Sequence, residues 1–153
     1  MVLPHVSLAL TPGATVLPLI NAGVYDGALR EFADAIPRLG RPMFLRIGYE
    51  FNGHWNNYTA GGYIAAWRRI VAAISKVPRA RQATATVWDM SCDAVRGHDG
   101  CTSAEECFAE YWPGDDVVDC AHTDRCPLIS LPGLPNCGLP KTWLSKWRQD
   151  DSD

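Results

Sequence analysis

With 153 residues and a formal net charge of −3, the chain is one domain's worth of sequence, long enough to bury a core and lacking the basic excess that nucleic acid binding demands. No apolar run approaches the roughly 20 residues of a membrane span, and the opening MVLPHVSLAL has neither the basic region nor the small-residue cleavage site of a signal peptide. The cysteines at 92, 101, 107, 120, 126 and 137 form no Cys-x-x-Cys and no histidine stands at zinc-finger spacing, so a metal site is not expected; disulfides remain open.

In chain order, residues 6 to 10 read as a short buried strand closed by the turn signal Thr11-Pro12-Gly13. Thr15 to Ile20 is a second apolar run, strand or loop, and Pro18 argues against a central strand. Asp26 suits a helix cap, and Leu29, Phe32, Ile36 and Leu39 recur after it at helical spacing until Pro37 bends the helix and Gly40 lets the chain leave. Met43 to Tyr49 is a mostly apolar run of strand length. Alternation puts Met43, Leu45, Ile47 and Tyr49 on one face, and Phe44, Arg46, Gly48 and Glu50 on the other.

Thr59 is placed to cap a helix from Ala60 to Lys76 with the stripe Tyr63, Trp67, Ile70, Val71 and Ile74, stopped by Pro78. Ala83 to Trp88 is strand-like, with Thr84, Thr86 and Trp88 on one face. Strand, helix and strand at this spacing predict parallel pairing through a right-handed crossover. Residues 91 to 102 read as a loop, Ser103 as the cap of a short helix through Tyr111, Trp112 to Asp115 as a turn and Asp116 to Cys120 as a strand. Beyond Cys120 repeated prolines break every periodicity. Residues 121 to 153 read as an irregular tail, from a frame slip, a foreign end or divergence, with one short helix at Thr142 to Arg148.

The chemistry concentrates in MFLRIGYEFNGHWNNY, residues 43 to 58, where a strand ends in Glu50 and opens into amides and aromatics. Amides hydrogen-bond hydroxyls, and aromatic faces stack on the apolar faces of pyranose rings. Asn52, Trp55 and Tyr58 are therefore candidate sugar contacts, and Trp88, at the end of its strand, a candidate platform or else a core residue. Asp89 suits a sugar hydroxyl or a loop cap, while His54 and His98 read as surface residues. Arg46 in mid-strand needs a buried partner, which is expected to be an interior carboxylate that either organises the site or simply holds the strands together. Glu50 is the candidate acid; its plainer alternative is an exposed charge or a helix-cap acceptor.

LRIGYEFNGHW, followed by YIAAWRRIV, VWDMS and YWPGDDVVD, resembles the middle of glycoside hydrolase family 26 over residues 25 to 119. That resemblance implies an α/β fold: a partial TIM (β/α)8 barrel of parallel strands, about strands three to six of eight. It implies a catalytic-domain part at 1–120 and a separate tail at 121–153. It also implies retaining hydrolysis of a β-linked polysaccharide, mannan above mixed-linkage glucan or xylan, without a cofactor and in a secreted parent. Glu50 matches the acid/base ending the fourth strand, and Tyr49 stands where the family has a histidine that meets substrate or nucleophile. The family's nucleophile is a Glu ending the seventh strand, and no such strand is legible after residue 120, so the isolated chain is expected to lack substantial turnover. Rival readings are a non-catalytic carbohydrate-binding remnant and a gene fragment without function.

Overall fold

The computed structural model describes residues 3 to 91 and 104 to 124. In order these form β1 (His5–Leu8), α1 (Gly13–Asn21), α2 (Asp26–Ala35) running into a 3-10 turn (Ile36–Leu39), and β2 (Met43–Ile47). A 3-10 turn at His54–Asn56 leads to α3 (Ala60–Ser75), α4 (Pro78–Gln82), β3 (Thr84–Ser91), α5 (Ala104–Tyr111) and β4 (Cys120–Asp124). The strands make one open four-stranded sheet in the order β1-β2-β3-β4, every neighbouring pair parallel. This is the α/β architecture expected of a barrel segment; no closure into a barrel is seen among the described residues.

The sheet is two-sided. Met43, Leu45 and Ile47 of β2 and Trp88 and Met90 of β3 join Leu17, Ile20, Tyr63, Trp67, Ile70 and Ile74 of the helices in the main core. Phe44, Ala85, Val87 and Cys120 form a smaller apolar cluster with Leu3 on the other side. Phe51 centres the aromatic part of the main core, its ring 4.3 Å from Trp88, 5.2 Å from Tyr111 and 5.3 Å from Tyr63. No described helix is long and apolar enough to cross a membrane.

Several local expectations are corrected. Thr15 to Ile20 is helical, not strand or loop, because Gly13, Leu17 and Ile20 recur at helical spacing and bury together. Pro18 forfeits only its own bond to the preceding turn. Asp26 caps nothing. It lies in the first turn of α2, and both its oxygens accept from Arg69 of α3 at 2.7 Å, a bidentate pair that competes successfully with capping. Leu39 leaves the apolar stripe and is 48% exposed, because the turn tightens at Pro37 before Gly40 exits at φ +60°.

Tyr49 does not share a face with Ile47. Gly48 and Glu50 both adopt left-handed backbone, φ +56° and +50°, so alternation ends with the strand and Tyr49 comes under the Arg46 guanidinium, 5.5 Å from its ring centre. A side chain on Gly48 would press on Tyr63, Leu10 and Tyr58, so the kink needs glycine for space as well as for φ. β3 runs to Ser91, beyond the expected end at Trp88.

The last strand starts at Cys120 where it was expected to end, and residues 115 to 117 form a turn. Asp119 explains the shift. Its carboxylate accepts from the Thr86 N–H and hydroxyl at 2.8 and 2.9 Å and pairs with Arg81 at 2.9 Å, which fixes the chain beside β3 just before the ladder begins. Residues 121 to 124, read as the start of the irregular tail, therefore join Cys120 in the sheet. The loop expected at 92 to 102 and the helix at Thr142 to Arg148 lie outside the described residues.

Gly13 shows how closely α1 sits on the loop after β2. A Cβ there would collide with the Tyr58 ring and lie 2.6 Å from the carbonyl oxygens of Asn56 and Asn57. Helix propensity alone favours Gly13→Ala by about 1 kcal/mol, but forcing a methyl against backbone costs about 1–3 kcal/mol. A net loss of about 1 kcal/mol is expected in urea melts; a gain in stability would show that α1 packs elsewhere.

Candidate functional site

At the carboxyl rim of the sheet the loop after β2 folds back over β3. Phe51 donates its N–H to the Asp89 carbonyl at 3.4 Å. Asn52 is buried and uses both ends of its amide on Ser91, donating to the carbonyl at 2.8 Å and accepting from the N–H at 2.9 Å. It extends the β2–β3 pairing by side chain after the backbone has turned away. Asn52, which the sequence offers as a sugar contact, bonds the backbone of Ser91 here.

Glu50 stands between these anchors in a conformation that costs a non-glycine residue about 1–2 kcal/mol. It is held there. Its carbonyl accepts from the Gly53 N–H at 2.8 Å and from the Asn56 amide at 2.8 Å, and the same amide reaches the Tyr49 carbonyl at 3.1 Å. Asn56 is nearly fully buried. Sequence reading grouped it with the other loop amides; nothing in its spacing distinguishes a backbone clamp from a sugar contact. Left-handed backbone at a non-glycine residue persists only where surroundings over-determine it, and such positions cluster at functional sites.

Arg46, half-buried on β2, pairs with Asp89 of β3, whose side chain is 0% exposed. The other Asp89 oxygen lies 2.8 Å from Nδ1 of His122 on β4, directly opposite in the ladder. Tyr49, Arg46, Asp89 and His122 thus run across adjacent strands as one polar row, and Glu50 follows Tyr49 directly in the chain. His122 was missed because the cysteines and prolines around it mask a strand; the alternation of Cys120, His122 and Asp124 was the available signal.

The aromatics divide. Trp55 is 47% exposed, its indole lying so close over Gly53 that a Cβ there would collide with the ring, with His54 edge-on at 5.1 Å. Tyr58 is buried: its hydroxyl accepts the Leu10 N–H at 3.2 Å and its ring stacks on Tyr63. Trp88 points into the helix layer, fully buried, its indole N–H toward the Tyr111 carbonyl at 3.4 Å and its face against Phe51. Of the aromatic candidates, only Trp55 offers a broad open face at the rim. His98 lies outside the described residues, and among these no cluster of potential metal ligands occurs.

Burial pushes the Tyr58 phenol up to about 12 despite the Leu10 N–H that favours its charged form. The neutral phenol is thus preferred in the fold, so its contribution is intact below pH 10 and lost as pH rises from 10 toward 12. Tyr58→Phe should show a smaller decline in urea midpoint across that window than the parent chain. Equal declines would mean that Tyr58 is solvated.

No family model matches the chain. It is 26% identical over 100 residues to a beta-1,3-xylanase of an Alcaligenes species, a stretch covering 65% of this chain and 20% of that protein. It is 27% identical over 97 residues to beta-1,3-xylanase TXYA of a Vibrio species, covering 63% and 19%. Against Endoglucanase H of Acetivibrio thermocellus it is 29% identical over 143 residues, covering 86% and 14%. The chain therefore spans a fifth or less of the length of these curated relatives, and what it resembles in each is part of a protein named as a polysaccharide-degrading glycosidase.

Proposed function

We propose that the chain is part of a retaining glycoside hydrolase, family 26-like, that acts on β-linked polysaccharide with Glu50 as general acid/base. The observation that carries this reading is the strained, clamped backbone of Glu50 at the carboxyl end of an interior strand, where barrel enzymes place their chemistry. The parallel sheet and the glycosidase names of the similar proteins support it. Trp55 supplies a stacking face, Tyr49 sits beside the acid, and Arg46 and Asn52 hold the rim in shape.

A retaining reaction needs a second carboxylate about 5 Å from the first, to attack the anomeric carbon as the acid protonates the leaving oxygen. Asp89 does not serve, being fully buried and divided between Arg46 and His122. In this proposal the chain contributes the acid/base half of a pair, and the nucleophile and the secretion belong to the parent protein. The motif resemblance favours mannan, whereas the names of the similar proteins favour xylan and glucan, so all are candidates.

The test is to incubate the purified chain with β-mannan, β-1,3-xylan and mixed-linkage β-glucan, measuring polymer retention and reducing ends. Retention on at least one polymer without turnover is expected, lost in Trp55→Ala. Robust hydrolysis abolished by Glu50→Ala would overturn the half-pair assignment, and no retention on any polymer would overturn the glycosidase reading.

A further inference from the structure

Between α2 and α3 lies a groove of about 580 Å³ that shares no residue with the rim, a volume within the range of small-ligand sites. The bidentate pair of Asp26 and Arg69 stands in it, and Arg69 also donates to the Asn21 carbonyl at 3.3 Å. One turn further along each helix the pairing stops. α2 contributes Arg30 and then Asp34 at four-residue spacing, while α3 contributes only Ala72 and Ala73 before Lys76. The small alanines leave the hollow open and, with Val77, give it an apolar lining.

Arg30, Asp34 and Lys76 are exposed, and none of them forms a salt bridge among the described residues. Three cations, Arg30, Arg69 and Lys76, thus share the groove with two carboxylates, Asp26 and Asp34, an excess of one positive charge. Asp26 is held below the usual carboxylate value by its Arg69 bonds first, and the charges of Lys76 and Arg30 add to that. A polyanion entering the groove would meet both carboxylates, so an acidic peptide fits it poorly. One carboxylate on a polyol fits better, because the guanidinium and ammonium suit its oxygens and Asp34 accepts from hydroxyls.

We infer that this groove is a second ligand site, for a carboxylate-bearing sugar of the uronic acid class. Arg30 and Lys76 hold its carboxylate, and Asp34 accepts from one of its hydroxyls. The choice of a sugar rests on the glycosidase reading, under which the groove takes an acidic unit of the polymer.

The test records amide chemical shifts of the full chain while glucuronate, glucose, acetate and an aspartate-only peptide are titrated in separately. Neutral manno-, xylo- and gluco-oligosaccharides are titrated beside them to read the rim. Glucuronate should give saturable shifts on residues 26 to 34 and 69 to 77, about tenfold tighter than glucose or acetate and weaker at higher salt. Arg30→Gln and Lys76→Gln, at exposed positions, should each keep the melting transition and weaken that binding about tenfold. Trp55→Ala should leave it unchanged. Acetate or the peptide binding as tightly as glucuronate would mean a patch that attracts any anion, and the inference falls. It falls too if glucuronate leaves these residues unmoved, while neutral oligosaccharides that move the rim keep the glycosidase reading standing. If glucuronate fills the groove and no oligosaccharide moves the rim, the site stands and the glycosidase reading falls.

Discussion

Asp89→Ala is expected to destabilise the chain by about 3 kcal/mol, the lower end of what removing one partner of a buried ion pair costs. The lower end applies because the Arg46 side chain is 25% exposed and keeps some solvent. The loss comes mainly from stranding that guanidinium between β2 and β3, and less from the bond to His122, whose ring is 43% exposed. His122→Ala should accordingly cost about 1 kcal/mol or less, in the range of one hydrogen bond from a partly exposed side chain. Adding Arg46→Met to Asp89→Ala should recover part of the loss, since the partly buried charge that Asp89 balanced is gone. Urea unfolding midpoints check all of these. A single Asp89→Ala variant within about 1 kcal/mol of the parent chain would mean that the row across the strands is solvated and holds nothing.

Trp88→Ala should cost about 3–5 kcal/mol, the usual penalty for emptying a buried aromatic site. Its indole is wholly enclosed, 4.3 Å from the Phe51 ring and 5.3 Å from that of Trp112, so the cavity would open at the centre of the aromatic cluster. Trp55→Ala is the matched opposite. With nearly half its surface exposed, its loss should shift stability by only about 0.5 kcal/mol yet abolish retention on polysaccharide. The pair of variants separates a core tryptophan from a stacking one by two readouts that move in opposite senses. A small stability change in Trp88→Ala would place that ring at the surface and return it to the list of sugar platforms.

The parts of the fold legible in the sequence were those whose period stays intact. β2, α3 and β3 carry uninterrupted apolar patterns, and their parallel order followed from spacing alone. Legibility ended where backbone geometry departed from the repeat. The left-handed Gly48 and Glu50 moved Tyr49 across the sheet, a change that alternation cannot express. α1 was hidden by Pro18, and β4 by an Asp119 whose long-range bonds to Thr86 and Arg81 decide where the strand begins. At the site, residue types announced polar chemistry but not its division of labour. Asn52, Asn56 and Trp55 all suit sugar binding by composition, whereas two of them spend their amides on backbone and the third keeps an open face. Asp89 and Arg46 could be proposed as partners because each is costly to bury alone. His122 required the register of a strand that sequence periodicity did not reveal.

Binding of β-linked sugar at the carboxyl rim around Glu50, as proposed, is tested most directly by amide chemical-shift mapping. With the backbone of the full chain assigned, each of the manno-, xylo- and gluco-oligosaccharides is titrated in and the saturable shifts are placed on the structure. At least one sugar should bind, with its shifts concentrated on residues 46 to 57 and the carboxyl ends of β3 and β4. Saturable shifts confined to another surface, such as the groove between α2 and α3, or none with any sugar, would contradict it.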